Sequence, residues 1–150
     1  MAAIKIVKQE ADSLNCGIAC VAMLRPDLSY KKIKNKMLKQ KGKITRTSAR
    51  ELVVLCKSLK LDAEIKRTKS WGDISSVAIV GVNPEKGKEK NFHWVLCITN
   101  NNKSLIVDPN PDDGDVYQGK KWQDTKDGYW HRGGYKEYVA INITVNSISI

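Results

Sequence analysis

Histidine is scarce in this sequence: two residues in 150, His93 and His131. Cysteine is sparse too, with four residues, of which only Cys16 and Cys20 lie close together. A structural zinc site draws on two close pairs of such ligands, and no second pair exists, so neither a metal nor another cofactor is expected. No apolar run approaches the roughly 20 residues needed to span a bilayer. The N-terminus, MAAIKIVKQEAD, lacks the apolar core of a secretory signal. A reducing cytoplasm is therefore the expected location, with delivery as a toxin or effector domain left open. Cys20, Cys56 and Cys97 fall within apolar patterns, as free buried thiols do. Acidic residues are missing from residues 30–46, where Lys31, Lys32, Lys34, Lys36, Lys39, Lys41, Lys43 and Arg46 concentrate much of a net charge of +10. Such a block attracts an acidic protein or RNA, or it is simply a solvated helix face. No aromatic residue beyond Tyr30 interleaves with the lysines, as a single-strand groove would require.

What is present suffices for one domain over residues 1–150, with 41% hydrophobic content. Ile4, Ile6 and Val7 predict a short extended entry. A first helix is expected over 15–25, between the N-cap candidate Asn15 and Pro26. Ser29 caps a second helix ending at Gly42, with Ile33, Met37 and Leu38 inward. Ser48 and Glu51 form a capping box that opens a third, with Leu52, Val53, Leu55, Cys56 and Leu59 at helical spacing. Strands are expected around Ala63 and Ile65 near a sheet edge, then at 77–82, 92–99, 105–107 and 138–145. The polar stretch 109–134, which holds Trp122, Tyr129 and Trp130, reads as a long loop. Helices first and antiparallel strands after predict an α+β fold.

The stretch QEADSLNCGIAC, residues 9–20, carries the chemistry. Cys16 falls in the first turn of the first helix, where unpaired N–H groups and the macrodipole favour thiolate over thiol. The same N–H groups suit a substrate oxyanion. Gly17 leaves the approach open, and Gln9 offers a second donor. Alone, a helix-opening cysteine is more often a small buried hydrophobe. His93 and Asp108 supply what a nucleophile needs. A two-residue turn at Asn100-Asn101 would pair Val95 with Ile106 and set His93 directly opposite Asp108, about 5 Å apart at Cβ. A carboxylate that orients an imidazole, and an imidazole that serves a cysteine, make a Cys-His-Asp triad.

These pieces, Gln9, Cys16-Gly17-Ile18-Ala19-Cys20, His93-Trp94-Val95 and Val107-Asp108-Pro109, resemble the papain-like peptidase domain of the bacteriocin-processing family. That domain is often fused to peptide-exporting ABC transporters; here it reads as a standalone domain. The resemblance spans about residues 9–115. It implies a papain-like fold with Cys16 as nucleophile, His93 as general base and acid, Asp108 as orienter and Gln9 as oxyanion donor. It further implies cleavage of leader peptides after a Gly-Gly pair. Asn15 stands where that family commonly has aspartate. Three functions fit the residues: a cysteine peptidase, a papain-like toxin or effector that deamidates or cleaves a target protein, and a basic fold that binds RNA or an acidic partner.

Overall fold

The computed structural model describes residues 2–3, 6–10, 13–43, 46–68, 77–82, 93–100, 103–110, 116–118, 138–144 and 148–149. Three helices precede most of the strands: α1 (Cys16–Leu24), α2 (Tyr30–Lys41) and α3 (Ala49–Ser58). The strands are β1 (Ala2–Ala3), β2 (Asp62–Thr68), β3 (Val77–Val82), β4 (His93–Asn100), β5 (Lys103–Val107), β6 (Val116–Gln118), β7 (Tyr138–Thr144) and β8 (Ile148–Ser149). Six of them form one antiparallel sheet in the order β2-β7-β3-β4-β5-β6, and β1 pairs with β8 in parallel. The architecture is α+β.

Two of the helices carry local boundary chemistry. Ser29 accepts the Lys32 N–H, and Gly42 closes α2 at φ 82°, a left-handed conformation that glycine adopts without strain. Ser48 and Glu51 complete the reciprocal capping box of α3. The first helix, α1, is apolar all round, and every residue from Gly17 to Leu24 is buried. It packs on β3 and β4 and against α2 and α3. Burial of Ile18, Val21, Met23 and Leu24 at this centre stabilises the fold by about 1.5–3 kcal/mol per side chain. Trp94 of β4 fills the floor beneath α1, only 2% exposed, and its indole N–H donates to the Thr47 carbonyl at 2.9 Å.

Most expected elements are present, β2 at the sheet edge among them. Four details differ. Leu38 is 36% exposed, because Ile33 and Met37 already fill the inward stripe of α2. Within the expected loop over 109–134, residues 116–118 form a strand on β5, too short for alternation to betray. Ile6 and Val7 lie in a described segment that is not strand; the strand at this end is β1. The β4–β5 ladder pairs Cys97 with Ile106 and Asn100 with Lys103, so Ile106 meets a residue two positions beyond Val95. Ile4, Trp122, Tyr129, Trp130 and His131 fall outside the described residues. Among the described residues, no helix is long and apolar enough to cross a membrane.

Candidate active site

Three chain segments converge at the N-terminus of α1. Cys16 is its first residue, partly exposed, and the Trp94 N–H donates to its sulfur at 3.5 Å. Asn15 occupies the N-cap position, but its side chain does not cap the helix. Its amide instead donates to Glu10 at 2.8 Å, and its Oδ1 is buried without a hydrogen-bond partner. The Asn15 side chain thus leaves the first-turn N–H groups of α1 uncapped. Such groups can take a developing negative oxygen.

His93 opens β4 and Asp108 follows β5. The expected direct opposition of these residues does not occur, because the ladder is displaced by two residues. An even displacement keeps side chains on the same face. His93 Nε2 therefore still reaches Asp108 Oδ1, at 2.7 Å. Asp108 is 1% exposed and its ring partner 23%. The Asp108-Pro109-Asn110 sequence makes an Asx turn, in which the Asn110 N–H donates to the same Oδ1 at 2.8 Å. With Nε2 committed to the carboxylate, Nδ1 is the ring nitrogen left for Cys16. Burial pulls the His93 pKa down. The Asp108 hydrogen bond and then the Cys16 side chain outweigh this and raise it from an ordinary 6.5 to about 10. The imidazole is accordingly held protonated at neutral pH, between a carboxylate and a sulfur.

Gln9 sits beside this cluster, with its backbone N–H on the Pro109 carbonyl at 2.8 Å. Its amide nitrogen donates to the Ser13 carbonyl at 2.9 Å. The same nitrogen faces the Ser13 hydroxyl at 3.4 Å, and the amide Oε1 is buried without a hydrogen-bond partner, so both amide hydrogens are engaged by Ser13. Gly17 does not serve the approach expected of it. It is buried, and a Cβ there would meet Leu52 at 3.0 Å and Trp94 at 3.1 Å. Glycine is needed at this position so that α1 can lie close on α3 and β4.

Several contributors carried no advance signal. Glu10 accepts from Asn15, from the Tyr30 hydroxyl at 2.8 Å and from Lys34 at 3.1 Å. Burial raises the Glu10 pKa, but these donors prevail and hold it at about 2. The loop before Cys16 is thereby tied to α2. Lys8 donates to the carbonyls of Asp108 and Asn110. Asp-Pro-Asn is a readable turn signal that would have found Asn110; nothing in the sequence marked Lys8. Burial pushes the Cys20 and Cys97 thiols well up, and that of Cys56 up to about 12. The basic block is partly committed within the chain: Lys34 to Glu10, Lys36 to the Ser58 carbonyl, and Lys41 to Glu51 and the Arg46 carbonyl. Among the described residues, no cluster of His, Cys, Asp and Glu could hold a metal ion.

The sequence model described as the Peptidase C39 family matches residues 3–121. A search of the curated proteins finds no match. Several solved structures share the fold, among them the following three. The peptidase domain of Streptococcus ComA, a bifunctional ABC transporter of a quorum-sensing pathway, is 19% identical with a TM-score of 0.60. The match covers 93% of this chain and 98% of that one. A double-glycine-motif protease from an AMS/PCAT transporter, solved with its leader peptide, is 14% identical with a TM-score of 0.60, over 93% and 90% of the two chains. The peptidase domain of Streptococcus mutans ComA, solved with a small-molecule inhibitor, is 23% identical with a TM-score of 0.59, over 94% and 99%.

Proposed function

The chain belongs to the peptidase C39 family and is a cysteine peptidase, and from that premise we propose that Cys16, His93 and Asp108 are its catalytic triad and that it cuts a leader peptide after a Gly-Gly pair. The observation that carries the triad is the 2.7 Å contact of His93 Nε2 with Asp108 Oδ1, with Cys16 as the other partner of the ring. The Gly-Gly preference is supported by likeness to a double-glycine-motif protease solved with its leader peptide.

The Cys16 thiolate attacks the carbonyl carbon that precedes the scissile bond. A C–S bond forms, and the carbonyl oxygen takes the negative charge. First-turn N–H groups of α1 donate to that oxygen, with Gln9 as a second donor once its amide exchanges the weaker 3.4 Å contact to the Ser13 hydroxyl for the oxyanion. The intermediate collapses, the C–N bond breaks, and His93 gives its proton to the leaving amine. Water then attacks the thioester as His93 takes one of its protons. The leader leaves as a carboxylic acid and the thiolate returns. Asp108 stays ionised throughout and keeps Nε2 turned away from the sulfur.

Synthetic peptides with a Gly-Gly pair, followed by mass spectrometry, test this reading. Cleavage after the second glycine is expected, lost with Ala-Ala in its place and lost in the Cys16→Ala protein. A gain of about one dalton on a glutamine-bearing target without chain cleavage would instead identify a deamidase.

A further inference from the structure

The segment ahead of α1 crosses to the turn that carries Asp108 and grips it from behind. Lys8 Nζ donates to the Asp108 carbonyl at 2.8 Å and to the Asn110 carbonyl at 3.2 Å. The Gln9 N–H donates to the carbonyl between them, Pro109, at 2.8 Å. Three successive carbonyls are thus held by two adjacent residues of one segment. On the opposite side of the turn, Asp108 Oδ1 receives both the Asn110 N–H and His93 Nε2. An ammonium has three donors and no acceptor, and the bonds it donates to carbonyls are charge-assisted. Two carbonyls of one turn can share it only when both face the same way. That condition fixes the turn's backbone, and the backbone fixes where the carboxylate points.

We propose that Lys8 is a positioning residue for the triad: its ammonium clamps the carbonyls of Asp108 and Asn110 so that the Asp108 carboxylate meets His93. This rests on the catalytic reading of Cys16, His93 and Asp108. Through these two carbonyls Lys8 acts on the ring by way of Asp108.

The sign of one titration separates positioning from charge. The groups acting on the His93 ring are chiefly Asp108 and Cys16. A Lys8 that merely repelled the imidazolium would, on removal, let the His93 pKa rise. A Lys8 that aims the carboxylate would, on removal, let it fall towards 6.5. The experiment uses Lys8→Met and Lys8→Arg in a His131→Gln background, which leaves His93 as the single imidazole. Its titration is followed by NMR, beside steady-state cleavage of a Gly-Gly peptide. Lys8→Met is expected to lower the His93 pKa by about one unit or more and kcat by about 10- to 100-fold, with KM changed less than about twofold. Lys8→Arg, which can still donate to both carbonyls, should restore most of both. An unchanged or raised His93 pKa in a folded Lys8→Met protein overturns the proposal, even if kcat falls. Lys8→Gln, whose amide reaches one carbonyl, carries the same test should the methionine variant not fold. Failure of the unaltered protein to cut any Gly-Gly peptide would count against the catalytic reading alone, because the titration judges Lys8 without turnover.

Discussion

His93 and Asp108 meet at 2.7 Å although they are not opposite one another in the β4–β5 ladder. The contact is diagonal and is completed by the Asx turn, in which the Asn110 N–H shares Asp108 Oδ1. Aim therefore depends on the turn as much as on the strand register, and it needs an acceptor at Oδ1 more than it needs a charge.

Substitutions at Asp108 should separate these two roles. Asp108→Asn retains a carbonyl oxygen for both donors and loses the negative charge. Asp108→Ala loses both. The expected order of kcat is unaltered protein, then asparagine, then alanine, with alanine lower by about three orders of magnitude or more. Steady-state kinetics on a Gly-Gly peptide check it, and equal losses for the two variants would contradict the orienting role of Oδ1.

The raised pKa of His93 has a consequence for stability. The folded protein holds the proton up to about pH 10, whereas the unfolded chain releases it near 6.5. The stabilising contribution is complete below pH 6.5 and is lost as pH rises through about 10. Urea unfolding at a series of pH values should show a decline across this window in the unaltered protein. Asp108→Ala, which removes the foremost partner raising the pKa, should flatten the decline.

Gly17 offers a packing test. A methyl added there meets Leu52 and Trp94 at 3.0–3.1 Å, both side chains buried in the core. Gly17→Ala should cost about 1–3 kcal/mol of stability by overpacking. Combination with Leu52→Ala should cost less than the sum of the two single changes, because the cavity accommodates the methyl. A strictly additive pair in denaturant unfolding would mean that these contacts do not govern the site.

Those tests bear on features that were legible in the sequence to different degrees. The three helices were readable because each carries its own boundary chemistry: Ser29 and Gly42, Ser48 with Glu51, and Asn15 before an apolar run. The side-chain role of Asn15 was not readable, since its amide goes to Glu10, which is tied in turn to Tyr30 and Lys34 of α2. The His93–Asp108 pairing is findable because strand alternation tolerates an even error: the ladder is displaced by two from the expected register, and both residues stay on one face. An odd slip would have separated them. Gly17 was read as clearance for substrate because the approach of α3 is a tertiary fact. Lys8 and β6 depend on contacts across the fold that no local pattern announces.

The central claim is that Cys16 is a nucleophile poised by His93, and thiol labelling tests it most directly. Cys20, Cys56 and Cys97 are buried, while Cys16 is partly exposed at the tip of α1. A thiol-directed electrophile at near-neutral pH, with the adduct mapped by mass spectrometry, should modify Cys16 alone, and His93→Ala should slow that reaction by about tenfold or more. Labelling of Cys16 at the same rate in both proteins, or preference for one of the buried thiols in the folded state, would contradict the account.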